Sequence, residues 1–345
     1  MLRRAVIPTS IVIASILFCL IAGEMVSRWL PMSKQHAVVL AKLSEQADHG
    51  SIDASPLGWK GIERTVDGVA SRLLIVGDSF TEGVGVRDEA LYTSQLALEL
   101  QTGLSSYAGR GYGTLQELFA LRKLLSQSRP NLVIIQACSN DLINNSLELE
   151  QRSYFQNAFQ FRPYLEMNQV LLHYPSRFGG LRPLVERHSV FGWYLFSKLD
   201  LFAVNLVRAG WLTSVEAEIY RNGADWPPFN RAVLTTEQIL RRMKDEIGDI
   251  PTFIFVADDV EPNRQAIEAA AIRVGFVVLA GVADQVRKSD TPGFRPYLPD
   301  KVHWSERGHA LVGKILAEQI RTECRRLQTK CVPNLNPTRL PPEMP

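Results

Sequence analysis

The fold is decided by one stretch of the chain, Leu73-Leu74-Ile75-Val76-Gly77-Asp78-Ser79-Phe80-Thr81-Glu82-Gly83. Its first four residues are apolar and include β-branched side chains, a pattern typical of a strand covered on both faces of a sheet. The polar turn that follows is bounded by two glycines, which permit backbone angles that other residues resist. The turn presents one serine, Ser79, at the carboxyl end of the strand. Two interpretations follow: an ordinary strand-ending turn, or a nucleophile whose base and oxyanion donors lie elsewhere in the chain.

The length and charge of the chain limit the classes of protein to which it can belong. Its 345 residues are enough for one large α/β domain with an elaboration, or for two domains. The 38 basic and 36 acidic residues give a formal net charge of +2. Because a nucleic-acid-binding surface needs a concentration of basic charge, this balance argues against nucleic acid as a partner.

The N-terminal segment, residues 1–30, differs from the rest of the chain. Residues 5–23 form an uncharged apolar run, AVIPTSIVIASILFCLIAG. As a helix with about 1.5 Å rise per residue, this run is about 28 Å long, close to the ~30 Å hydrocarbon core of a bilayer. Arg3 and Arg4 favour a cytoplasmic N-terminus, so the remaining residues should lie outside the cytoplasm, in the periplasm or extracellular space. We expect an uncleaved membrane anchor, with a cleaved signal peptide as the alternative.

The chain has four cysteines. Cys19 lies in the apolar run, and Cys138 ends a predicted strand, where a buried thiol behaves as a small apolar side chain. Cys324 and Cys331 lie at the end of the last predicted helix and can form a local disulfide outside the cytoplasm if their geometry allows it. No cysteine or histidine spacing resembles a zinc site, so we expect neither a metal nor a cofactor.

Beyond a connecting segment, residues 31–70, strand and helix signals alternate along the chain. Strands are predicted at 72–76, 104–108, 131–137, 252–257 and 276–279, and helices near 89–102, 114–127, 262–274 and 305–327. A further helix should begin at a capping box of Thr235 and Gln238 and end at Gly248. The alternation indicates a parallel sheet with helices on both faces, formed by residues 71–143 and 233–328. Ligands of such sheets bind beyond the carboxyl ends of the strands, where Ser79 lies.

Residues 144–232 interrupt this alternation and contain 16 of the 30 aromatic residues of the chain. One interpretation is a helical insertion, or cap, whose aromatic side chains form a core of their own. The other is that some of them line a binding groove or contact the membrane interface. Residues 189–211 are apolar enough to suggest a membrane span, but Lys198, Asp200 and Arg208 favour an amphipathic or buried helix. A Pro-rich tail, residues 329–345, follows the last helix.

A second polar stretch, residues 297–309, contains Asp300 and His303 on the loop that enters the last helix. This loop should lie near the same edge of the sheet as Ser79. A histidine so placed can accept the serine proton, and the carboxylate can fix its tautomer and stabilise the imidazolium that forms. The alternative is a structural pair, in which Asp300 caps a turn and His303 packs at the start of the helix.

Together these motifs resemble those of the SGNH, or GDSL-type, serine hydrolases, which are marked by four blocks in a fixed order. Gly77-Asp78-Ser79 is similar to the first block, Gly109-Arg110-Gly111-Tyr112-Gly113-Thr114 to the second, Asn140-Asp141 to the third, and Asp300 with His303 to the fourth. The resemblance implies a flavodoxin-like three-layer α/β/α fold, with Ser79 as nucleophile and His303 and Asp300 completing a triad. It also implies that the N–H of Gly111 and the side-chain amide of Asn140 are oxyanion donors. It covers residues 72–143 and 234–326.

Two positions depart from the pattern of that family. Phe80 stands where an aliphatic residue is common, and its side chain is expected to support the turn without taking part in the chemistry. Cys138 stands where glycine is usual. The second departure puts the shape of the turn that presents Asn140 in doubt.

The resemblance implies a serine esterase that hydrolyses acyl esters through an acyl-enzyme. The expected location and the aromatic insertion favour an acetyl ester on an extracytoplasmic carbohydrate as the substrate. The alternatives are an O-acyltransferase that modifies a polysaccharide, a lipase or thioesterase, and a catalytically silent glycan-binding or assembly protein. An acidic loop contains Asp258, Asp259 and Glu261. It lacks the spacing of a calcium-binding loop, so these carboxylates are interpreted as solvated capping residues and not as a metal site.

Overall fold

Five ranges of the chain are described by the computed structural model: residues 9–29, 60–65, 71–153, 162–173 and 181–328. The leading Arg3 and Arg4, most of the connecting segment and the whole Pro-rich tail lie outside these ranges. Cys331 lies outside them as well. Cys324, the cysteine expected to pair with it, is disulfide-bonded.

The strands and helices of the described residues follow the alternation seen in the sequence. The strands are β1 (Lys60–Arg64), β2 (Arg72–Gly77), β3 (Gly103–Ala108), β4 (Leu132–Ala137), β5 (Arg162–Glu166), β6 (Gln169–His173), β7 (Thr252–Val256) and β8 (Val277–Val278). The helices are α1 (Thr9–Trp29), α2 (Ser79–Glu82), α3 (Tyr92–Leu100), α4 (Thr114–Gln127), α5 (Asp141–Asn144), α6 (Leu147–Glu150), α7 (Leu181–His188), α8 (Val190–Arg208), α9 (Val215–Asn222), α10 (Pro227–Ile247), α11 (Asn263–Val274), α12 (Val282–Ser289) and α13 (Glu306–Arg326).

Six of the strands form one sheet in the order β1-β3-β2-β4-β7-β8. Neighbouring strands pair in parallel, except that β1 runs antiparallel to β3 at one edge. The sheet and its flanking helices confirm the predicted α/β class. The edge strand β1 was not predicted, because its sequence KGIER contains one apolar side chain, Ile62, and so lacks a period-2 pattern.

The alternating side chains of β2 enter two separate cores, one on each face of the sheet. Leu74 and Val76 pack in a cluster with residues of α4, α10 and α11. Leu73 and Ile75 pack on the other face with residues of α3, α12 and α13. All four are buried, as expected for a strand covered on both faces. The molecule therefore has the three layers that the sequence predicted.

Helix α10 begins eight positions before the capping box that was predicted to start it. Two prolines, Pro227 and Pro228, occupy its first turn, where a missing N–H and a fixed φ angle favour a helix start. The predicted capping residues lie within the helix, and the neighbouring Thr236 is buried and accepts a hydrogen bond from the side-chain amide of Asn145 (3.0 Å). The prediction of a start at Thr235 was therefore wrong.

The insertion contributes to the main core, and one of its aromatic side chains, that of Phe229, packs there and not in a separate core. Its residues Val215, Ile219 and Phe229 lie in the same buried cluster as Leu74 and Val76. It also holds an antiparallel hairpin, formed by β5 and β6, which was not predicted.

The hairpin is joined to α6 by a buried polar contact. The Tyr164 hydroxyl donates to Glu150 (2.7 Å), and the Arg162 guanidinium lies 3.3 Å from the other oxygen of the same carboxylate. Burial raises the pKa of Glu150 to about 7, although Arg162 and Tyr164 both oppose that rise. Removing either partner alone would leave a buried polar group unsatisfied.

Two helices within the described residues are long and apolar enough to cross a membrane, Ile11–Trp29 in α1 and Val190–Arg208 in α8. Neither is a core helix, because only 6% of the apolar window in α1 and 11% of that in α8 are buried. The interpretation of residues 189–211 as a buried helix is therefore wrong for α8.

Candidate active site

The turn that carries Ser79 is held from both sides by polar side chains. Asp78 precedes the short helix α2, and its carboxylate accepts a hydrogen bond from the N–H of Phe80 (3.0 Å). Gly83 ends α2 in the left-handed region with φ of 72°. Asp78 and Gly83 thus fix the start and the end of the turn, and Ser79 is the first residue of the helix.

Gln136, on the neighbouring strand β4, fixes the same turn from beneath. Its side-chain oxygen accepts from the N–H of Asp78 (3.1 Å), the N–H of Thr81 (3.2 Å) and the hydroxyl of Thr81 (2.7 Å). A Cβ atom at Gly77 would collide with Gln136 and Thr81, so the sequence needs glycine there. Sequence analysis did not identify Gln136, since it reads as one more residue of a buried strand.

Ser79, His303 and Asp300 are brought together in one hydrogen-bonded chain. The Nε2 atom of His303 lies 3.0 Å from Ser79 Oγ, and its Nδ1 lies 2.7 Å from an Asp300 carboxylate oxygen. The other Asp300 oxygen accepts from the N–H groups of Val302 (2.9 Å) and His303 (3.0 Å). With a proton on Nδ1 shared with Asp300, Nε2 is free to accept the proton of Ser79.

The carboxylate of Asp300 is stabilised in its charged form. Partial burial raises its pKa, but the hydrogen bonds from the His303 ring and from the two backbone N–H groups outweigh burial. The pKa of Asp300 therefore lies below its ordinary value. It can thus hold the Nδ1–H tautomer of His303 and stabilise an imidazolium.

The ring of Phe80 supports the imidazole of His303. Phe80 is buried, with its ring centroid 5.4 Å from that of His303 and 4.7 Å from that of Trp304. Tilted contacts between aromatic rings favour a particular ring orientation. Phe80, one of the two departures from the family pattern, therefore supports His303 as well as the turn.

Gly111 lies in the loop after β3, and this loop is joined to the serine turn by Glu82. The Glu82 carboxylate accepts from the backbone N–H of Arg110 (2.7 Å) and from its guanidinium Nε (3.0 Å). Gly111 itself has φ of 69°, a conformation that favours glycine. Glu82 therefore fixes the position of the peptide next to Gly111, a role that sequence analysis missed.

Asn140 lies just beyond the carboxyl end of β4, in a turn held by residues that follow β7. Asp258 accepts from the N–H of Ser139 (2.8 Å) and from its hydroxyl, and Asn263 donates to the Ser139 carbonyl (2.7 Å). Cys138 is buried and is not among the positive-φ residues of the described chain. The backbone at this position therefore does not have the positive φ angle that favours glycine.

Three hydrogen-bond donors near Ser79 have no partner among the described residues. They are the N–H of Ser79, the N–H of Gly111 and the side-chain NH2 of Asn140; the side-chain oxygen of Asn140 is also buried without a partner. Their loops follow β2, β3 and β4, which are neighbours in the sheet. Because backbone donors in folded proteins are nearly always paired, unpaired donors at adjacent strand ends are available to a ligand oxygen.

Four carboxyl groups in and beside these loops interact through their charges: Asp78, Glu117, Asp141 and Asp258. Burial raises the pKa of Asp78 to about 6, and the charge of Asp258 adds to the rise. Burial and mutual repulsion raise the pKa of Glu117 and that of Asp141 well above their ordinary values. Among the described residues, no group of three or more such side chains is arranged to hold a metal ion.

The acidic loop after β7 has structural contacts. Besides the bond from Asp258 to Ser139, Asp259 pairs with Arg264 (3.2 Å) and Arg287 (2.8 Å). Glu261 pairs with Arg264 as well. The loop therefore connects the Asn140 turn to α11 and α12.

Several solved structures are similar to this chain. The crystal structure of TesA matches over 73% of this chain and 99% of that chain, with 13% identity and a TM-score of 0.41. Esterase EstA from Pseudoalteromonas sp. matches over 74% and 99%, with 13% identity and a TM-score of 0.40. Axe2, an acetylxylan esterase from Geobacillus stearothermophilus, matches over 77% and 98%, with 13% identity and a TM-score of 0.36. These scores are too low to bear on substrate.

The family is decided by the sequence itself. Comparison with curated proteins finds no match. The family model of the GDSL-like lipase/acylhydrolases matches residues 75–311, which is more than half of the chain. The matched range begins within β2 and ends within α13, so it includes Ser79, Gly111, Asn140, Asp300 and His303. The chain belongs to the GDSL-like lipase/acylhydrolase family and is an ester hydrolase.

Proposed function

We propose that Ser79, His303 and Asp300 are the catalytic triad of a serine esterase. The observation that carries this proposal is the continuous hydrogen-bonded chain from Ser79 Oγ through His303 to Asp300, with distances of 3.0 and 2.7 Å. In the proposed mechanism, Ser79 Oγ adds to the ester carbonyl while His303 Nε2 takes its proton. His303 then gives that proton to the departing alcohol, which leaves an acyl group on Ser79.

The second half of the reaction uses the same residues. A water molecule gives its proton to His303 and adds to the acyl carbonyl, and collapse of the adduct returns the proton to Ser79 Oγ. In both halves negative charge develops on the carbonyl oxygen. The N–H groups of Ser79 and Gly111 and the amide of Asn140 are the proposed donors to that oxygen, which their lack of other partners supports.

We further propose that α1 anchors the enzyme in a membrane, with the catalytic domain outside the cytoplasm. The length and composition of the helix support a span. The disulfide at Cys324 supports an oxidising compartment. The contacts of Glu24, near the end of α1, with the start of α8 support an uncleaved helix, because cleavage at Ala22-Gly23 would separate the apolar run from these contacts.

The proposed substrate is an acetyl ester on an extracytoplasmic carbohydrate. The proposed location supports this choice, since acylated glycans are exposed on that side of the membrane. The test uses the full-length chain in detergent, with O-acetylated oligosaccharides and short-chain aryl esters as substrates and Ser79→Ala as the matched control. Acetate release that disappears in Ser79→Ala supports the esterase. Acyl transfer to an added sugar without net acetate release would identify a transferase instead.

A further inference from the structure

Helix α8 presents an apolar stripe on its surface. Leu195, Leu199 and Phe202 are spaced at i, i+4 and i+7 and therefore share one face of the helix. Their side chains are 45%, 45% and 60% exposed. A different side of the helix packs on α7, where Arg182 pairs with Asp200 (2.6 Å) and lies over the Phe196 ring. The stripe has no covering element among the described residues.

The topology of the sheet excludes the interpretation of α8 as a transmembrane segment. Strands β4 and β7 are paired neighbours, so the chain between them must cross a membrane an even number of times or not at all. Among the described helices of that interval, α8 alone is both long enough and apolar enough to span; α10 is longer but is not apolar enough. The two undescribed gaps, residues 154–161 and 174–180, are each far shorter than the roughly 20 residues that a span requires. A helix that is neither buried nor spanning must lie at a surface.

The apolar stripe begins at the outer end of α1. Phe191 lies one turn before Leu195 on the same face, and a Cβ atom at Gly23 of α1 would come within 2.9 Å of its ring. Glu24 accepts hydrogen bonds from the N–H groups of Val190 (3.2 Å) and Phe191 (3.0 Å) and from the Ser189 hydroxyl (2.7 Å). The first turn of α8 is therefore attached to the end of the helix proposed as the anchor.

The residues around the stripe are those that favour a bilayer interface. Lys198 lies beside the stripe with its ammonium 5.0 Å from the centre of the Tyr194 ring, and long cationic side chains can reach lipid headgroups while their stems remain in apolar surroundings. Arg208 ends the helix, and Trp211, just beyond it, is 81% exposed. Tryptophan is enriched at the boundary between lipid and water.

We propose that α8 is a membrane-interface helix, whose stripe of Leu195, Leu199 and Phe202 inserts among the lipids next to α1 and fixes the orientation of the catalytic domain on the bilayer. The occupant of the stripe is lipid, and the proposal rests on the anchoring of α1. The proposal gives the enzyme a second contact with the membrane, through the insertion, in addition to the span formed by α1.

The test measures membrane depth at three positions of the full-length enzyme in lipid nanodiscs. A nitroxide is attached through p-acetylphenylalanine at Phe202, at Ile16 of α1 or at Ile272 of α11, which avoids the four cysteines. Phe202, Ile16 and Ile272 are 60%, 54% and 62% exposed in the protein alone. Differences between the three labels therefore report the surrounding lipid and not burial within the protein. Hydrolysis of an aryl acetate reports that each labelled chain is folded. Collision of each label with oxygen, which concentrates in lipid, is compared with its collision with a water-soluble nickel chelate.

We expect collisions with oxygen to exceed collisions with the nickel chelate at Phe202 and at Ile16. At Ile272 collisions with the nickel chelate should exceed those with oxygen. If nickel dominates at Phe202 while oxygen dominates at Ile16, the interface helix is refuted and the anchor stands. If nickel dominates at both positions, the anchor is refuted as well. A label at Phe202 that is shielded from both reagents would mean a protein partner, such as a second copy of the chain, and would also overturn the proposal.

Discussion

Replacement of Glu82 by alanine tests how the loop of Gly111 is held. The change removes the carboxylate that accepts the Arg110 N–H at 2.7 Å, and a hydrogen bond to a charged group contributes about 1.5–3 kcal/mol. If that free energy is expressed fully in the transition state, kcat falls about 10- to 150-fold, since about 1.4 kcal/mol corresponds to a factor of ten. The loss should appear in kcat, because the Gly111 N–H would bind the oxyanion and not the ground-state ester.

Arg110→Ala is the matched control for this prediction. It removes the ion pair with Glu82 but leaves the backbone N–H that Glu82 accepts, and the Arg110 side chain is 61% exposed. Exposed ion pairs contribute about 0–1 kcal/mol, so kcat should fall less than about fivefold. Both variants are assayed with an aryl acetate, and urea unfolding reports their stability. Equal losses in the two variants, or an unchanged kcat in Glu82→Ala, would refute the positioning role of Glu82.

Three further predictions follow from the site. Asn140→Ala should lower kcat about 100- to 1,000-fold with little change in KM, as expected for loss of an oxyanion donor; steady-state kinetics that give less than a tenfold loss would remove Asn140 from the mechanism. Phe80→Leu should cost about 1–2 kcal/mol of unfolding free energy and also lower kcat, because the ring contacts His303 at 5.4 Å between centroids; a loss of stability in urea unfolding with kcat intact would show that the ring supports only the turn. Glu117→Gln should stabilise the protein increasingly as the pH rises above 4.5, the ordinary pKa of this group. The pKa of Glu117 is raised in the folded state, so the native protein loses up to about 1.4 kcal/mol per pH unit over that range, and the variant does not. Urea unfolding at pH 5 and pH 8 measures the difference, and an equal gain at both values would contradict the raised pKa.

The sequence was sufficient to predict the three-layer sheet, because its central strands carry continuous apolar runs. Residues 72–76 and 131–137 were predicted as strands, and the structure has β2 and β4 at Arg72–Gly77 and Leu132–Ala137. Parallel strands present their carboxyl ends at one edge, which explains why Ser79, Gly111 and Asn140 lie on neighbouring loops. The pairing of Ser79 with His303 came from the order of the four blocks, since 224 positions separate the two residues.

The supporting contacts of the site were not predictable, because each joins side chains whose proximity depends on the completed fold. Gln136 contacts the serine turn 55 to 58 positions away, and no local pattern separates it from other strand residues. In the sequence Glu82 is one more polar residue of a turn, and its contact with Arg110 exists only in the folded structure. Helix α10 was misplaced for a different reason: a capping-box pattern at Thr235 lies inside a helix that Pro227 had already started.

The environment of α8 was also not predictable from the sequence. Its charged residues favoured an amphipathic or buried helix, and the pattern alone could not separate these states. The exposed side chains of Leu199 and Phe202 exclude burial, and the pairing of β4 with β7 excludes a single crossing of the membrane.

The central claim, that Ser79 receives the acyl group, is tested most directly by trapping the covalent intermediate. The full-length enzyme in detergent is treated with an alkyl fluorophosphonate, and intact-mass and peptide-mapping spectra locate the adduct. We predict one adduct per chain, on Ser79, that forms in parallel with the loss of esterase activity. The adduct should be absent in Ser79→Ala and form far more slowly in His303→Ala. Stoichiometric labelling of another residue, or full esterase activity in Ser79→Ala, would contradict the proposed mechanism.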